Sequence, residues 1–136
     1  MIAFTVDGTP APKGSTRAFV VRGRPVVTED NARTRPWAAL VRDAARTSVG
    51  PTIAFPRGVP VRLAATFRLP RPVSLPKRVT TATKKPDLDK LARAIKDALT
   101  GVVWQDDSQV VAVEAVKTYA VSPARPGVDI RIEVAS

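Results

Sequence analysis

Residues 86–109 read PDLDKLARAIKDALTGVVWQDDSQ, and the reading of this stretch decides the rest of the chain. Leu88, Leu91, Ala92, Ile95, Ala98 and Leu99 recur at helical spacing, and Gly101 supplies a C-terminal stop. Two acidic motifs, Asp87-Leu88-Asp89 and Asp106-Asp107-Ser108-Gln109, flank that helix in a chain that is otherwise strongly basic. In the extended segment before a helix, residues two apart project to the same side, so Asp87 and Asp89 are expected to be neighbours. Asp89 is expected at or near the N-cap, at the positive end of the helix dipole.

The helix should carry the chain roughly 16 Å away at 1.5 Å per residue. An extended return from Gly101 to Asp107 would cover roughly 20 Å at 3.3 Å per residue. If Gly101 reverses the chain, Asp107 comes back to Asp87 and Asp89, and three carboxylates share one site. The plainer reading makes one Asp a cap and the other surface. A real cluster would repel itself unless it held a cation, and oxygen-only ligands select Mg²⁺, with Mn²⁺ as a substitute. Such an ion suits phosphodiester hydrolysis. Lys90 and Arg93 follow in the first turn, where cations oppose the helix dipole at about 0.3–1 kcal/mol each. Their spacing predicts one shared face beside the acids, suited to a phosphate; charge balance with Asp87, Asp89 and Asp97 would explain them equally.

Composition narrows the chemistry. The chain has 136 residues, 22 Lys and Arg against 12 acids, a net charge of +10, and neither Cys nor His. Disulfides, thiolate zinc sites and every Ser-His or Cys-His arrangement are excluded. The charge excess favours a polyanionic partner such as nucleic acid, although solubility alone could account for it. No apolar run is long enough to span a membrane and no signal-peptide layout opens the chain, so a cytoplasmic protein forming a single domain over 1–136 is expected.

Outward from the central stretch, Ile2, Phe4 and Val6 alternate into a first strand. A loop follows with Lys13 and Arg17, then a short hairpin over 18–22 and 25–27 with a basic tip. Trp37, Leu40, Val41 and Ala44 predict the core stripe of a helix starting near Thr34 and ended by Gly50-Pro51. Val61, Leu63, Ala65, Phe67 and Leu69 form the clearest strand. Residues 70–85, rich in Pro, Thr and base, are expected to be a mobile basic loop that brings Lys84 and Lys85 to Asp87. Val110 to Tyr119 reads as a buried strand, and Val128 to Val134 as a final half-buried one. The order β-β-β-α-β-α-β-β predicts an α+β domain, a mixed sheet packed by two helices.

Lys85-Pro86-Asp87-Leu88-Asp89, Leu91, Asp97-Ala98-Leu99, Gly101 and Asp106-Asp107-Ser108-Gln109-Val110-Val111 resemble the RusA family of Holliday-junction resolvases. Gly8-Thr9-Pro10, Pro12-Lys13-Gly14 and Lys117-Thr118-Tyr119 match more loosely, so nearly the whole chain is covered. The resemblance implies a Mg²⁺-dependent homodimeric endonuclease that nicks four-way DNA junctions symmetrically in recombination and repair, and suggests a phage or prophage origin. It places catalysis and metal binding on Asp87, Asp89 and Asp107, with Asp106 and Gln109 as supporting neighbours. Lys13, Arg17, Lys84, Lys85, Lys90 and Arg93 are the candidate DNA contacts. Lys90 stands where the family usually has Asn, and Arg93 where it commonly has Lys. Two rival readings use no catalysis: a basic DNA- or RNA-binding protein that keeps the fold, or a structural subunit of a larger assembly.

Overall fold

Four strands form the main sheet: β1 (Ile2–Asp7), β4 (Val61–Leu69), β5 (Val110–Tyr119) and β6 (Gly127–Val134), in the order β1-β6-β4-β5. The computed structural model describes the backbone of residues 1–14, 16–29 and 32–136, with side chains for all of these except 16–19 and 26–29. β4 and β5 are parallel and every other pairing is antiparallel, giving the mixed sheet expected of an α+β domain. β2 (Thr16–Val21) and β3 (Arg24–Glu29) form a separate two-stranded hairpin. Its turn holds both Arg22 and Gly23 at positive φ, the conformation that matches the twist of a tight hairpin.

One face of the sheet is covered by α1 (Thr34–Val49) and α2 (Leu88–Leu99). Alternation along β4 buries Val61, Leu63, Ala65, Phe67 and Leu69 while Arg62, Thr66 and Arg68 face outward. β6 does the same with Val128, Ile130 and Ile132. Leu91, Ile95 and Leu99 of α2 are fully buried against them, each worth about 1.5–3 kcal/mol in transfer free energy. On the outward face of β4 and β6, Arg68 pairs with Asp129, and Arg62 with Glu133 at 4.0 Å.

Two packing expectations are corrected. In α1 the core stripe runs through Thr34, Trp37, Val41 and Ala45, whereas Leu40 is 47% exposed. β5 is an edge strand rather than a buried one, with Val111, Val113 and Val116 substantially exposed. An unbroken apolar run does not distinguish a strand covered on both faces from one at a sheet margin.

The segment from Pro70 to Lys85 is built around Arg71. Its Nη1 donates to the Val79 carbonyl at 2.6 Å and its Nη2 to the Pro76 carbonyl at 2.6 Å. The same guanidinium lies 5.8 Å from the centroid of the Tyr119 ring. An isolated bridge joins Thr81 to Thr118.

Candidate active site

The connection β4–α2–β5 brings the two acidic motifs to α2 by different routes. Asp87, not Asp89, is the N-cap residue of α2; its backbone is extended and its side chain makes no capping hydrogen bond. Asp89 therefore lies inside the first turn. At the other end the helix closes at Thr100, and Gly101 (φ 86°) reverses the chain in the left-handed region that glycine tolerates. Its N–H donates to the Trp104 carbonyl at 2.7 Å, while Val103 N–H donates to Leu99 at 2.9 Å. Val103 and Trp104 are fully buried, so the return is a tight turn pinned in the core rather than the extended run expected.

Asp107 opens a single 3-10 turn, Asp107–Gln109, held by a reciprocal capping box. Asp106 Oδ1 accepts from Ser108 N at 2.9 Å and from Ser108 Oγ at 2.8 Å. These bonds, that from the Ser108 backbone first, lower the Asp106 pKa; Arg57, 3.8 Å away, adds to the effect against a small opposing cost of burial. Gln109 Oε1 accepts from the amides of Gln105 and Asp106. Its buried Nε2 shares two hydrogens among the carbonyls of Phe55, Pro56 and Val59. Asp106 and Gln109 thus lock the backbone that presents Asp107.

Because the return is short, Asp107 comes back alongside the last turn of α2, where its Oδ2 lies 3.5 Å from Lys96 Nζ. Lys96 is seven residues beyond Asp89 on the same helical face, a rise of roughly 10 Å. Asp89, Arg93, Lys96, Asp97 and Asp107 line one cleft of about 650 Å³, floored by Val113 and Ala115 of β5. Arg93 has no side-chain partner there among the described residues. Asp87 and Lys90, 3.9 Å apart, line a second cleft on the other side of the helix start, with Lys84 and Lys85. Among the described residues no three acids stand grouped as a ready metal site. The expected meeting of Asp87, Asp89 and Asp107 is thus replaced by a pair, Asp89 and Asp107, on one cleft and Asp87 on its neighbour. Lys90 and Arg93 likewise separate, one to each cleft.

Lys13 lies against α2, its N–H donating to the Lys90 carbonyl and its Nζ 3.6 Å from Asp97. Arg17 is in β2, and its side chain lies outside the described residues. Two residues carry roles that the sequence reading assigns to neither, although Lys117 stands in the Lys117-Thr118-Tyr119 stretch of the resemblance. Lys96 falls on the Asp89–Arg93 face, a spacing that was visible. Lys117, a lone cation in an apolar run, donates from Nζ to the carbonyls of Lys84 (2.8 Å) and Pro86 (3.0 Å), holding the segment that leads into Asp87.

The described residues include no helix long and apolar enough to cross a membrane. The chain is similar, at 31% identity over 134 residues and 90% coverage of each chain, to the uncharacterized protein YqaN of Bacillus subtilis (strain 168). The model of the family described as endodeoxyribonuclease RusA matches residues 7–133, spanning both acidic motifs, both helices, β4, β5 and all but the last residue of β6, and of β1 only Asp7. With the two acidic motifs set on either side of α2 in that span, the chain belongs to the RusA endodeoxyribonuclease family.

Proposed function

We propose that this protein is a Mg²⁺-dependent endonuclease that nicks branched DNA, four-way junctions above all. The observation that carries the reading is the cleft in which Asp89 and the locked Asp107 flank Arg93 and Lys96. The donor set fits a hard divalent cation: the carboxylates are half-exposed oxygen ligands, and two of them already attract ammonium groups at 3.5 and 3.9 Å. Asp89 and Asp107 would hold the ion, and Asp87 would have to turn across the helix start from the adjoining cleft to join them. A cation held there would acidify the attacking water and polarise the phosphoryl oxygen.

The chain's own groups do the rest. Lys96 neutralises Asp107 until a cation competes for it. Arg93 offers a planar fork of donors to a phosphate crossing the cleft. Lys84, Lys85 and Lys90 meet the backbone on the adjoining side, and Lys13 steadies α2 through Asp97. A twofold homodimer would present two such sites to the two equivalent strands of a junction.

A second reading, a DNA-binding protein that keeps the fold without cutting, draws on the same ion pairs, since lysines already neutralise Asp87 and Asp107. A cleavage assay on a synthetic mobile junction, with and without Mg²⁺, separates the two. Paired nicks that require Mg²⁺ are expected. Binding without nicks at any Mg²⁺ or Mn²⁺ concentration would establish the second reading.

A further inference from the structure

We infer that the cleft beyond the carboxyl ends of β4 and β5 is a pocket for an unpaired nucleotide next to the scissile phosphate; this rests on the DNA-cleaving reading above. A crevice opens there, lined by Leu69 and Tyr119 at the carboxyl ends of the parallel pair β4–β5 and by the segments that follow and face them. Here that crevice encloses about 570 Å³, within the range of about 300–1,000 Å³ typical of small-ligand sites. Its walls include Pro10, Pro70, Pro72 and Tyr119, and its cations include Lys84, Lys85 and Lys90.

Rigid apolar walls combined with a set of ammonium groups match a nucleotide, whose base has an apolar π-face and whose phosphate is anionic. A free phosphate would have no use for the proline walls. The pocket is also held in shape before any ligand arrives. Arg71 stacks over Tyr119 and ties down two carbonyls of the 70–85 segment, and Lys117 fixes the carbonyls of Lys84 and Pro86. Preformed sites bind without an ordering cost.

Position supplies the remaining argument. Asp87 and Lys90 line this pocket while Asp89 and Arg93 line the other, so the first turn of α2 divides them. DNA whose phosphate crosses that turn has its adjacent nucleotide at the pocket mouth. A base stacked in a duplex cannot enter, and extrusion costs least where pairing is already lost, as at a branch point. Residues 70–85 contain no aromatic side chain to act as a wedge, which suits a site that receives an open base rather than prising one out.

Junctions carrying 5-iododeoxyuridine either at the branch point or well inside one arm, irradiated with the full-length protein in the absence of Mg²⁺, test this by mass-spectrometric mapping. Cross-links from the branch-point base should fall on Tyr119 or on residues 9–12 and 69–72. Pro72→Gly, which removes part of the exposed wall, should cut their yield roughly tenfold, the equivalent of one lost stacking contact, with affinity for linear duplex unchanged. Cross-links confined to the β2–β3 hairpin or to the Asp89 cleft, in a junction that is bound and cut, would overturn the pocket alone. A junction neither bound nor cut would remove the DNA-cleaving reading first, and the pocket with it.

Discussion

The two acidic segments that border α2 are built to opposite standards of rigidity. Asp107 sits between Asp106 and Gln109, whose side chains together engage six backbone groups, from Phe55 to Ser108. Asp87, by contrast, caps its helix without a side-chain hydrogen bond and is paired only loosely with Lys90 at 3.9 Å. The turn that presents Asp107 is locked by side chains on both sides, whereas Asp87 is held through the backbone leading into it, where Lys117 binds the Lys84 and Pro86 carbonyls, and its carboxylate carries no cap bond. On the reading proposed above, a cation would meet one preset carboxylate, and the other acidic side chains would turn toward it when the ion or the DNA arrives.

The comparison is broken most severely at the carboxylates themselves. Asp107→Asn or Asp89→Asn should lower junction cleavage by at least about 100-fold while leaving DNA binding intact or tighter, since a ligand loss exceeds the 10–100-fold typical of outer-shell changes. Gel assays of nicking and binding on the same junction check both halves. Next in size, Gln109→Leu should destabilise the fold by about 3 kcal/mol, because the carbonyls it serves lose their donor. Asp87→Ala should cost almost nothing in stability, there being no cap bond to lose. Paired urea denaturation curves read that contrast, and equal midpoints would erase it.

Much of this was legible in advance, and the exceptions have physical causes. Strict alternation in β4 and β6 and the stripe in α2 announce elements whose buried face is decided by period alone. The uniform run of β5 carries no such information, and its place at the sheet edge depends on which strands pair. The acids were visible as residues, but their convergence depended on the path after Gly101. The sequence predicts an extended return; burial of Trp104 shortens it and sets Asp107 beside Lys96 instead. Lys90 and Arg93, about 60° apart around the helix, fall on either side of the ridge between the two clefts rather than on one shared face.

Smaller effects sharpen the contrast. Lys84→Ala with Lys85→Ala should weaken junction binding and reduce the salt slope by roughly 1–2, as expected for the loss of up to two phosphate contacts. Affinity measured across a salt series decides it; an unchanged slope would return these lysines to a structural linker. Smallest is a pH effect on the locked half. The Asp106 pKa is lowered in the folded chain, so its contribution is present above the ordinary carboxylate value and is lost as pH falls through the folded one. The Ser108 amide should therefore lose exchange protection only below about pH 4. Loosening at neutral pH would contradict the assignment.

The central claim is that both acidic segments serve one cation, and Mn²⁺ titration of the ¹⁵N-labelled protein tests it most directly. Paramagnetic broadening of the Asp89 and Ser108 amides should develop together, at the same Mn²⁺ concentration, and be lost from both in Asp107→Asn. Broadening at one segment alone, or at both unchanged in that variant, would show that the two acidic motifs do not form a single site.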